Sequence, residues 1–448
     1  MAAILTGISL SVLDSSIVNL ALPDITRDFG ASASAAVWVV NAYQLATLVL
    51  LLPCAQLGER IGYRRVYLVG LAVFTLASLG CVVAPSLPLL AGARALQGLG
   101  AAGMMAVNSA LVRLTYPTDR LGRGIALNSM IVAISSVAGP SLSALVLSVA
   151  SWPWLFLIQL PLGTIVFVLA RRSLPGNAVS PSAPRPHWLD VALNIAMFSL
   201  VFLGADAFGV RREAGGVPTP GSLALAFGLL GTGVLVGALY IHRQWTLPAP
   251  LFPVDLLRIR VFALSMCTSV GAFAAQTLAF VALPFLLLEG QGRSHFEAGL
   301  LITAWPAAIV VVAPVAGRLI HRVGGGLLGG IGLALMAAGL ALLALLPPAP
   351  ALWRVALPLA LCGVGFGLFQ SPNNHTIVTS APLRRAGAAS GMLGTARLTG
   401  QSLGAVLLGL IFSVAGVRQG GPTIALGLAA LLAGGAAVFS SLRIRPAH

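Results

Sequence analysis

Long apolar runs dominate this chain of 448 residues. A helix that crosses a bilayer needs roughly 20 consecutive apolar residues, and fourteen runs bounded by charged residues, proline or glycine come near or exceed that length. The runs are continuous rather than alternating, which argues against the strands of a transmembrane barrel. The pattern predicts an all-α integral membrane protein with 14 transmembrane helices. They lie near residues 3–22, 37–57, 66–84, 88–112, 123–147, 153–170, 189–208, 221–241, 261–288, 298–317, 327–346, 352–376, 386–412 and 422–441.

The composition supports a membrane protein. Charged residues make up 8% of the chain and hydrophobic residues 58%, with a mean hydropathy of +0.97, whereas soluble domains average about 25% charged residues. The first run, from Ala2 to Pro23, lacks a preceding basic segment and contains Asp14. We therefore expect it to be the first transmembrane helix rather than a cleavable signal peptide.

The basic residues and the cysteines exclude several functions. All 26 basic residues are arginines, and they lie mostly in short gaps between apolar runs. There they orient helices and meet lipid headgroups, so we expect no nucleic-acid partner. A chain without lysine has no phosphate-binding loop for ATP. The four cysteines form no C-x-x-C pair, so no metal site or disulfide is indicated. No cofactor is expected.

The distribution of arginines predicts the orientation. With both termini cytoplasmic, eighteen arginines fall inside, six fall outside, and Arg94 and Arg397 fall within helices. This asymmetry follows the positive-inside rule. Arg211 and Arg212 would fit better with twelve spans. The stretch from Gly221 to Ile241, however, is 21 residues without a charge, and this length favours fourteen spans with both termini cytoplasmic.

Two linkers divide the predicted helices. Residues 173–187 are rich in proline, serine and alanine, and residues 242–260 form a second polar segment. Segments of this kind are typical of extended connections. We therefore predict a six-helix bundle over residues 1–172, an inserted helical hairpin over 188–241, and a second six-helix bundle over 261–448.

Asp14 is the first candidate for function. A charged carboxylate near the bilayer centre costs several kcal/mol, so it pairs with a cation or takes up a proton. Desolvation favours the protonated form of a carboxyl and a neighbouring cation opposes it. Such a site can exchange a proton for a cationic substrate, although a structural hydrogen bond is the alternative. Arg94 stays charged when buried, and Asp14 is its obvious acceptor; a static ion pair is the alternative role.

Six motifs follow one another along the chain: "LDSSIVNLALPDI" (13–25), "LGERIGYRRV" (57–66), "RALQGLGAA" (94–102), Gly139-Pro140, "WPWLFLIQLPLG" (152–163) and "FQSPNN" (369–374). Taken in order, they resemble the major facilitator superfamily, and specifically its fourteen-helix drug:proton antiporter branch. The chain departs from the usual motifs at several positions, including Glu59 for aspartate and Gln159 for asparagine. A weaker echo of the second motif, "GRLIHRVG", occurs at residues 317–324, which indicates an internal repeat.

The resemblance implies a major facilitator fold that works by alternating access and a proton-coupled exporter of the multidrug type. It assigns proton coupling to Asp14 and Arg94, and an antiporter motif in the fifth helix to Gly139 and Pro140. It also implies a cytoplasmic latch between the two bundles, which either breaks and re-forms during transport or merely fixes topology. The latch residues are Gly58, Glu59, Arg60, Gly62, Arg64 and Arg65.

Other residues in the apolar runs, most of them polar, are further candidates. Those expected to line a cavity or contact substrate are Gln97, Met105, Asn108, Gln276, Phe369, Asn373, Arg397 and Gln401. Asp206 and Glu289 are secondary acidic candidates, although both lie near predicted helix ends, where simple interfacial placement is favoured.

We expect the chain to export hydrophobic or cationic small molecules across the cell membrane. The proton gradient drives this export, and the chain acts as a monomer. The alternative within transport is a dedicated carrier of one metabolite or natural product. An enzyme is not expected, because the six histidines form no constellation with acidic residues. A sensor or scaffold would be expected to carry a soluble appendage, and the longest loops here are short.

Overall fold

In the computed structural model, residues 2–115, 121–176, 187–209, 220–247, 250–347, 350–381, 386–415 and 420–443 are described. Within these ranges the chain is helical and contains no strand. It divides into two compact units, Met1–Phe252 and Pro253–His448. Eleven helices in the described part are long and apolar enough to cross a membrane, and many large apolar side chains face outward, for example Leu76, Val149 and Leu431. Such outward apolar faces are stable in lipid.

Every predicted run falls on a helix. The helices of the first unit are α1 (Ala2–Asp28), α2 (Ala33–Ala36), α3 (Trp38–Ile61), α4 (Tyr63–Val82), α5 (Leu87–Thr115), α6 (Leu121–Val149), α7 (Pro153–Leu157), α8 (Gln159–Ser173), α9 (Trp188–Gly209) and α10 (Pro220–Thr246). Those of the second unit are α11 (Arg260–Pro284), α12 (His295–Val323), α13 (Gly325–Ala344), α14 (Leu352–Ser380), α15 (Ala386–Ala415) and α16 (Gly421–Ser441).

Three boundaries differ from the sequence-based ones. The run predicted over 153–170 is two helices, α7 and α8, which meet at Ile158. The run over 261–288 ends as an α-helix at Pro284 and continues as a π-helical segment, Phe285–Gly290. The second linker begins later than residue 242, because α10 continues to Thr246, and it contains a short 3₁₀ helix, Val254–Arg258. The division of the chain into two bundles, a hairpin and two linkers stays a prediction.

The two units repeat one scheme of helix pairing. In the first unit α5 contacts both α3 and α4, and α1 contacts α6. In the second unit α14 contacts both α12 and α13, and α11 contacts α15. The helices α8 and α16 likewise contact α4 and α13, respectively. This correspondence agrees with the internal repeat that the sequence indicates.

Glycines at matching places hold the paired helices close together. A Cβ on Gly98 of α5 would lie 2.3 Å from the carbonyl oxygen of Tyr43, and one on Gly363 of α14 would lie 2.1 Å from that of Trp305. Both distances are too short for any larger residue. Small residues at interfaces let helix backbones approach closely in membranes. Gly98 and Gly363 therefore mark equivalent positions in the two repeats.

The junctions between paired helices also match. Gly62 joins α3 to α4 with φ 104° and ψ 132°, and Gly324 joins α12 to α13 with φ 83° and ψ 142°. A positive φ is costly for residues with a Cβ. The motif loop at residues 57–66 and its weaker echo at 317–324 therefore make the same turn.

Candidate functional site

A buried acid and a buried base meet in the first unit. Asp14 of α1 is 0% exposed and Arg94 of α5 is 1% exposed. The Nη1 of Arg94 donates to the Oδ2 of Asp14 at 2.7 Å. Removing one partner from a buried ion pair typically costs about 3–5 kcal/mol, because the other charge is left uncompensated. The structure thus joins the two residues that the sequence singled out for proton coupling, and that role stays a prediction.

Two side-chain amides occupy the other carboxylate oxygen. Gln159, the first residue of α8, donates from Nε2 to the Oδ1 of Asp14 at 2.8 Å, and Gln97 of α5 donates to the same oxygen at 3.1 Å. The Nε2 of Gln97 also lies 2.9 Å from the Oγ of Ser78 on α4. Both glutamines and Ser78 are buried. The carboxylate is therefore held by protein groups from two other helices, α5 and α8, and Ser78 of α4 contacts one of these groups.

Arg94 is fixed on three further sides. Its Nε donates to the carbonyl oxygen of Val39 in α3 at 3.1 Å, and its Nη1 also donates to the Oε1 of Gln97 at 2.5 Å. Its guanidinium lies 4.3 Å from the ring centroid of Tyr43 and 5.7 Å from that of Phe156. Aromatic faces stabilise a desolvated cation. The site therefore draws on α1, α3, α4, α5, α7 and α8.

The predicted latch loop lies at the junction of α3 and α4. Arg64 donates to the carbonyl oxygen of Arg171 near the end of α8, so the loop contacts another helix end of its own unit. A Cβ on Gly58 would lie 2.7 Å from Val107. Arg65 is exposed and Arg60 is half-buried, while the side chain of Glu59 lies outside the described residues. A latch to the second bundle stays a prediction.

The other candidates of the first unit are spread along α5, α6 and α9. Asn108 is buried and donates to Asn128 of α6 at 3.1 Å, and Met105 is half-buried. A Cβ on Gly139 would lie 1.9 Å from the Oγ of Ser16, so α6 lies directly against α1 there. The side chains of Pro140 and Asp206 lie outside the described residues.

In the second unit two candidates are fully buried. Phe369 packs against Phe366, with ring centroids 5.7 Å apart, and Asn373 donates to the Oγ of Ser269 at 2.7 Å. Gln276, Gln401 and Glu289 are half-buried. Arg397 is also half-buried, and its guanidinium lies 5.7 Å from the ring centroid of Phe273.

A buried arginine that the sequence analysis missed lies just after α16. Arg443 is 8% exposed, and its Nη1 donates to the Oγ of Ser265 at 2.9 Å and to the Oδ1 of Asn373 at 2.6 Å. Its other guanidinium donors bond Ser440. Burial lowers the pKa of Arg443 to about 10, so it stays protonated at neutral pH. Its position after the last apolar run made it look like an ordinary cytoplasmic arginine.

Sequence analysis also missed Ser78 and the role of Gln159. Gln159 stood out only as a departure from a motif, and Ser78 gave no signal. A polar residue in a membrane helix is itself a signal, but the sequence does not say which helix it faces.

The chain matches the Major Facilitator Superfamily over residues 4–405. It belongs to that family. Its all-helical fold, its apolar outer surface and its membrane-length helices are those of a multi-pass transporter, and this superfamily member is a transporter rather than an enzyme.

Relatives of this superfamily member include transporters with different named substrates. It is 52% identical over 441 residues to the uncharacterized transporter YebQ of Escherichia coli strain K12, covering 98% of this chain and 94% of YebQ. It is 27% identical to the riboflavin transporter RibZ of Clostridioides difficile strain 630, covering 91% and 86% of the two chains. It is 30% identical to the multidrug resistance protein Stp of Mycobacterium tuberculosis, covering 92% and 76%.

Solved structures support the fold alone. The chain aligns with a POT family transporter that was crystallised in complex with a thioalcohol conjugated peptide, with a TM-score of 0.72 and 18% sequence identity. The alignment covers 99% of this chain and 96% of the other.

Proposed function

We propose that this superfamily member is a proton-coupled antiporter that exports hydrophobic or cationic small molecules across the cell membrane. The observation that carries the proposal is the buried Asp14–Arg94 pair. In this mechanism Asp14 binds a proton in one part of the cycle and gives it up in another, and the energy comes from the proton gradient. The chain works as a monomer, with fourteen spans and both termini cytoplasmic.

The chemistry of the pair supports proton coupling. Burying a carboxylate and a guanidinium is expensive, and such pairs are often no more stabilising than apolar residues of the same volume. Ionisable groups inside membrane helices are rare and usually functional, for example in proton relays. A proton on Asp14 removes its negative charge and weakens its attraction for Arg94, which lets the helices that carry them rearrange. That link between protonation and helix position is what alternating access requires.

The substrate class rests on the relatives and on the apolar character of the helices. Stp is named for multidrug resistance, and a chain with 8% charged residues offers few polar groups to a polar nutrient. A specific observation favours a second candidate, a dedicated carrier of one metabolite, because RibZ is named as a riboflavin transporter. In either case the proton site would be Asp14.

The test is proton flux in liposomes that contain the purified chain and a pH-sensitive dye. A panel of lipophilic cations, with riboflavin as the metabolite arm, is added under an imposed proton gradient. We expect substrate-triggered proton flux in the wild type and none in Asp14→Asn. Asp24→Asn is the matched control, because Asp24 lies in the same helix and also pairs with an arginine, Arg27, and it should retain flux.

Each outcome decides between the candidates. Flux with several cations supports the multidrug exporter, and flux with riboflavin alone supports the dedicated carrier. Flux that survives in Asp14→Asn moves the proton site elsewhere, with Asp206 and Glu289 next in line. An absence of flux with every compound would argue against the proposal.

A further inference from the structure

The groups that hold the Asp14 carboxyl differ in what they can do with a proton. Oδ2 is bonded to Arg94 at 2.7 Å, and a guanidinium only donates. Oδ1 is bonded by the amides of Gln159 and Gln97 at 2.8 and 3.1 Å. An amide carries both donors and an acceptor, so a half-turn lets it accept from a carboxyl O–H instead. The two amides beside Oδ1 can therefore hydrogen-bond the Asp14 carboxyl in either protonation state without water.

A half-turn of Gln159 forces changes in its neighbours. Its Oε1 lies 2.9 Å from the Nε2 of Gln97, so after the turn two N–H groups would face each other unless Gln97 turned as well. The Oε1 of Gln97 accepts from Arg94 at 2.5 Å, and a turned Gln97 would present a donor to that donor. Ser78, whose Oγ donates to the Oε1 of Gln159 at 3.3 Å, adapts because a hydroxyl both donates and accepts.

Resting on the function proposed above, we propose that Gln159 is a positioning residue that transmits the protonation state of Asp14 to Arg94 through Gln97. A proton from water binds Oδ1, the new O–H donates to the carbonyl of Gln159, and both amides turn. Arg94 then loses the charge on Asp14 and the acceptor on Gln97, and release of the proton to water reverses these steps. Besides Arg94, the titratable groups facing this site among the described residues are Tyr43 of α3 and Cys81 of α4.

Infrared difference spectra between low and high pH test this relay without measuring transport. The purified full-length chain in liposomes should show a protonated carboxyl band that is absent from Asp14→Asn. In Gln159→Leu this band should shift to higher frequency, because the carboxyl O–H loses its acceptor. The accompanying glutamine amide changes should disappear. Gln159→Asn keeps an amide on a shorter side chain, so the band should shift in the same direction by less.

The outcomes separate this inference from the proposed function. A wild-type spectrum without any carboxyl band that depends on Asp14 would remove Asp14 as the proton site, and the relay with it. An Asp14 band whose position and amide changes are the same in wild type, Gln159→Leu and Gln159→Asn would overturn only the relay. If Gln159→Leu does not fold, the comparison of wild type with Gln159→Asn decides the question.

A separate observation concerns the hydrogen-bond ladder of α3. Pro53 lies inside this helix and has no N–H, so the carbonyl of Val49, four residues earlier, lacks its helical donor. The Nδ2 of Asn194 on α9 donates to this oxygen at 2.8 Å. Asn194 is 1% exposed and Val49 is 6% exposed. A buried carbonyl without a donor is costly, and Asn194 therefore supplies the bond that Pro53 removes.

The hairpin formed by α9 and α10 is fastened at its base. Asp190, one helical turn before Asn194, accepts from the Nε of Arg243 at 2.7 Å and from Gln244 at 3.0 Å. Gln244 in turn accepts from the backbone N–H of Phe252 at 3.2 Å. The hairpin is thus held together where α9 begins and α10 ends, and it meets α3 through α9.

From these contacts we infer that the α9–α10 hairpin stabilises α3 at Pro53. The segment of α3 before Pro53 carries Val39 and Tyr43, which both contact Arg94. Because a proline weakens the helix at this point, the bond from Asn194 restrains α3 there and so keeps these two contacts in place. The inserted hairpin therefore supports the Asp14–Arg94 site from outside.

A double-mutant cycle on the full-length chain tests whether Asn194 stabilises α3 at Pro53. Asn194→Leu should lower Tm by several degrees in the presence of Pro53. In a Pro53→Ala background the new N–H bonds Val49, so Asn194→Leu should have little effect. Asn194→Ala, which removes the donor without adding a charge, should show the same difference between the two backgrounds and serves if the leucine variant does not fold. Equal losses of Tm in both backgrounds would overturn the inference.

Discussion

In the first unit the buried cation lies within α5 beside a buried acid, whereas in the second unit it lies just after α16 among neutral oxygens. Because Gly98 and Gly363 mark equivalent positions in the two units, the residues around them can be compared directly. Arg94 lies four residues before Gly98, and the residue four before Gly363 is Leu359, which is fully buried. The second unit thus forms the same helix pairs without a charge at this place. The ion pair is therefore not what the fold requires, and this difference is the strongest reason to regard it as functional.

The largest expected effect comes from breaking the ion pair. Arg94→Met should lower the free energy of unfolding in detergent by about 3–5 kcal/mol, because the Asp14 carboxylate is left buried and unpaired. The matched change in the second unit, Leu359→Met, should cost less than about 1.5 kcal/mol. Adding Asp14→Asn to Arg94→Met should recover part of the loss. Equal costs at residues 94 and 359 would contradict the contrast between the units.

The next largest effects are expected at the two glycines that occupy equivalent positions in the two units. Gly98→Ala and Gly363→Ala should each cost about 1–3 kcal/mol, since the added methyl group overlaps a carbonyl oxygen of the neighbouring helix. Gly92→Ala in the same helix as Gly98 is the control, because nothing lies within 4 Å of its added Cβ. Thermal unfolding of the three variants measures the effect. A large loss in only one unit would show that the register between the repeats is wrong.

The two junction glycines should show a smaller and equal effect. Gly62→Ala and Gly324→Ala place a Cβ on a residue with positive φ, which costs about 1–2 kcal/mol. The measurement is again the free energy of unfolding, with Gly317→Ala as the control because its surroundings are open. If only Gly62→Ala reduced transport, the first loop would have a role in the cycle beyond its shape, as the latch predicts.

The smallest expected loss is at Arg443. Arg443→Met should cost about 1 kcal/mol, because it leaves neutral acceptors rather than an opposite charge, and it removes the desolvation penalty of a buried guanidinium. Proton flux should be unchanged, whereas Arg94→Met should abolish it. A loss of stability as large as that of Arg94→Met would indicate that this arginine holds the second unit together.

The helices and the charged pair could be predicted from the sequence for different reasons. Apolar runs specify membrane helices because each residue's transfer into lipid depends mainly on its own side chain, and all fourteen runs lie on helices. Asp14 and Arg94 stood out because charged residues are rare in such runs. The breaks at Ile158 and Pro284 were not foreseen, since the apolar pattern continues through both. Arg443 was taken for a cytoplasmic arginine, because burial at a helix end depends on neighbours.

The sequence by itself determined that this chain is a membrane transporter of the Major Facilitator Superfamily, built from apolar helices with a repeated plan and an acid in its first helix. Only the tertiary structure decided that Asp14 meets Arg94, that Gln159 and Gln97 share its second oxygen, and that Asn194 replaces the bond missing at Pro53. The physical reason is distance. Transfer into lipid is a property of local sequence, whereas a hydrogen bond between residues 14 and 159 depends on how closely and at what register separate helices pack.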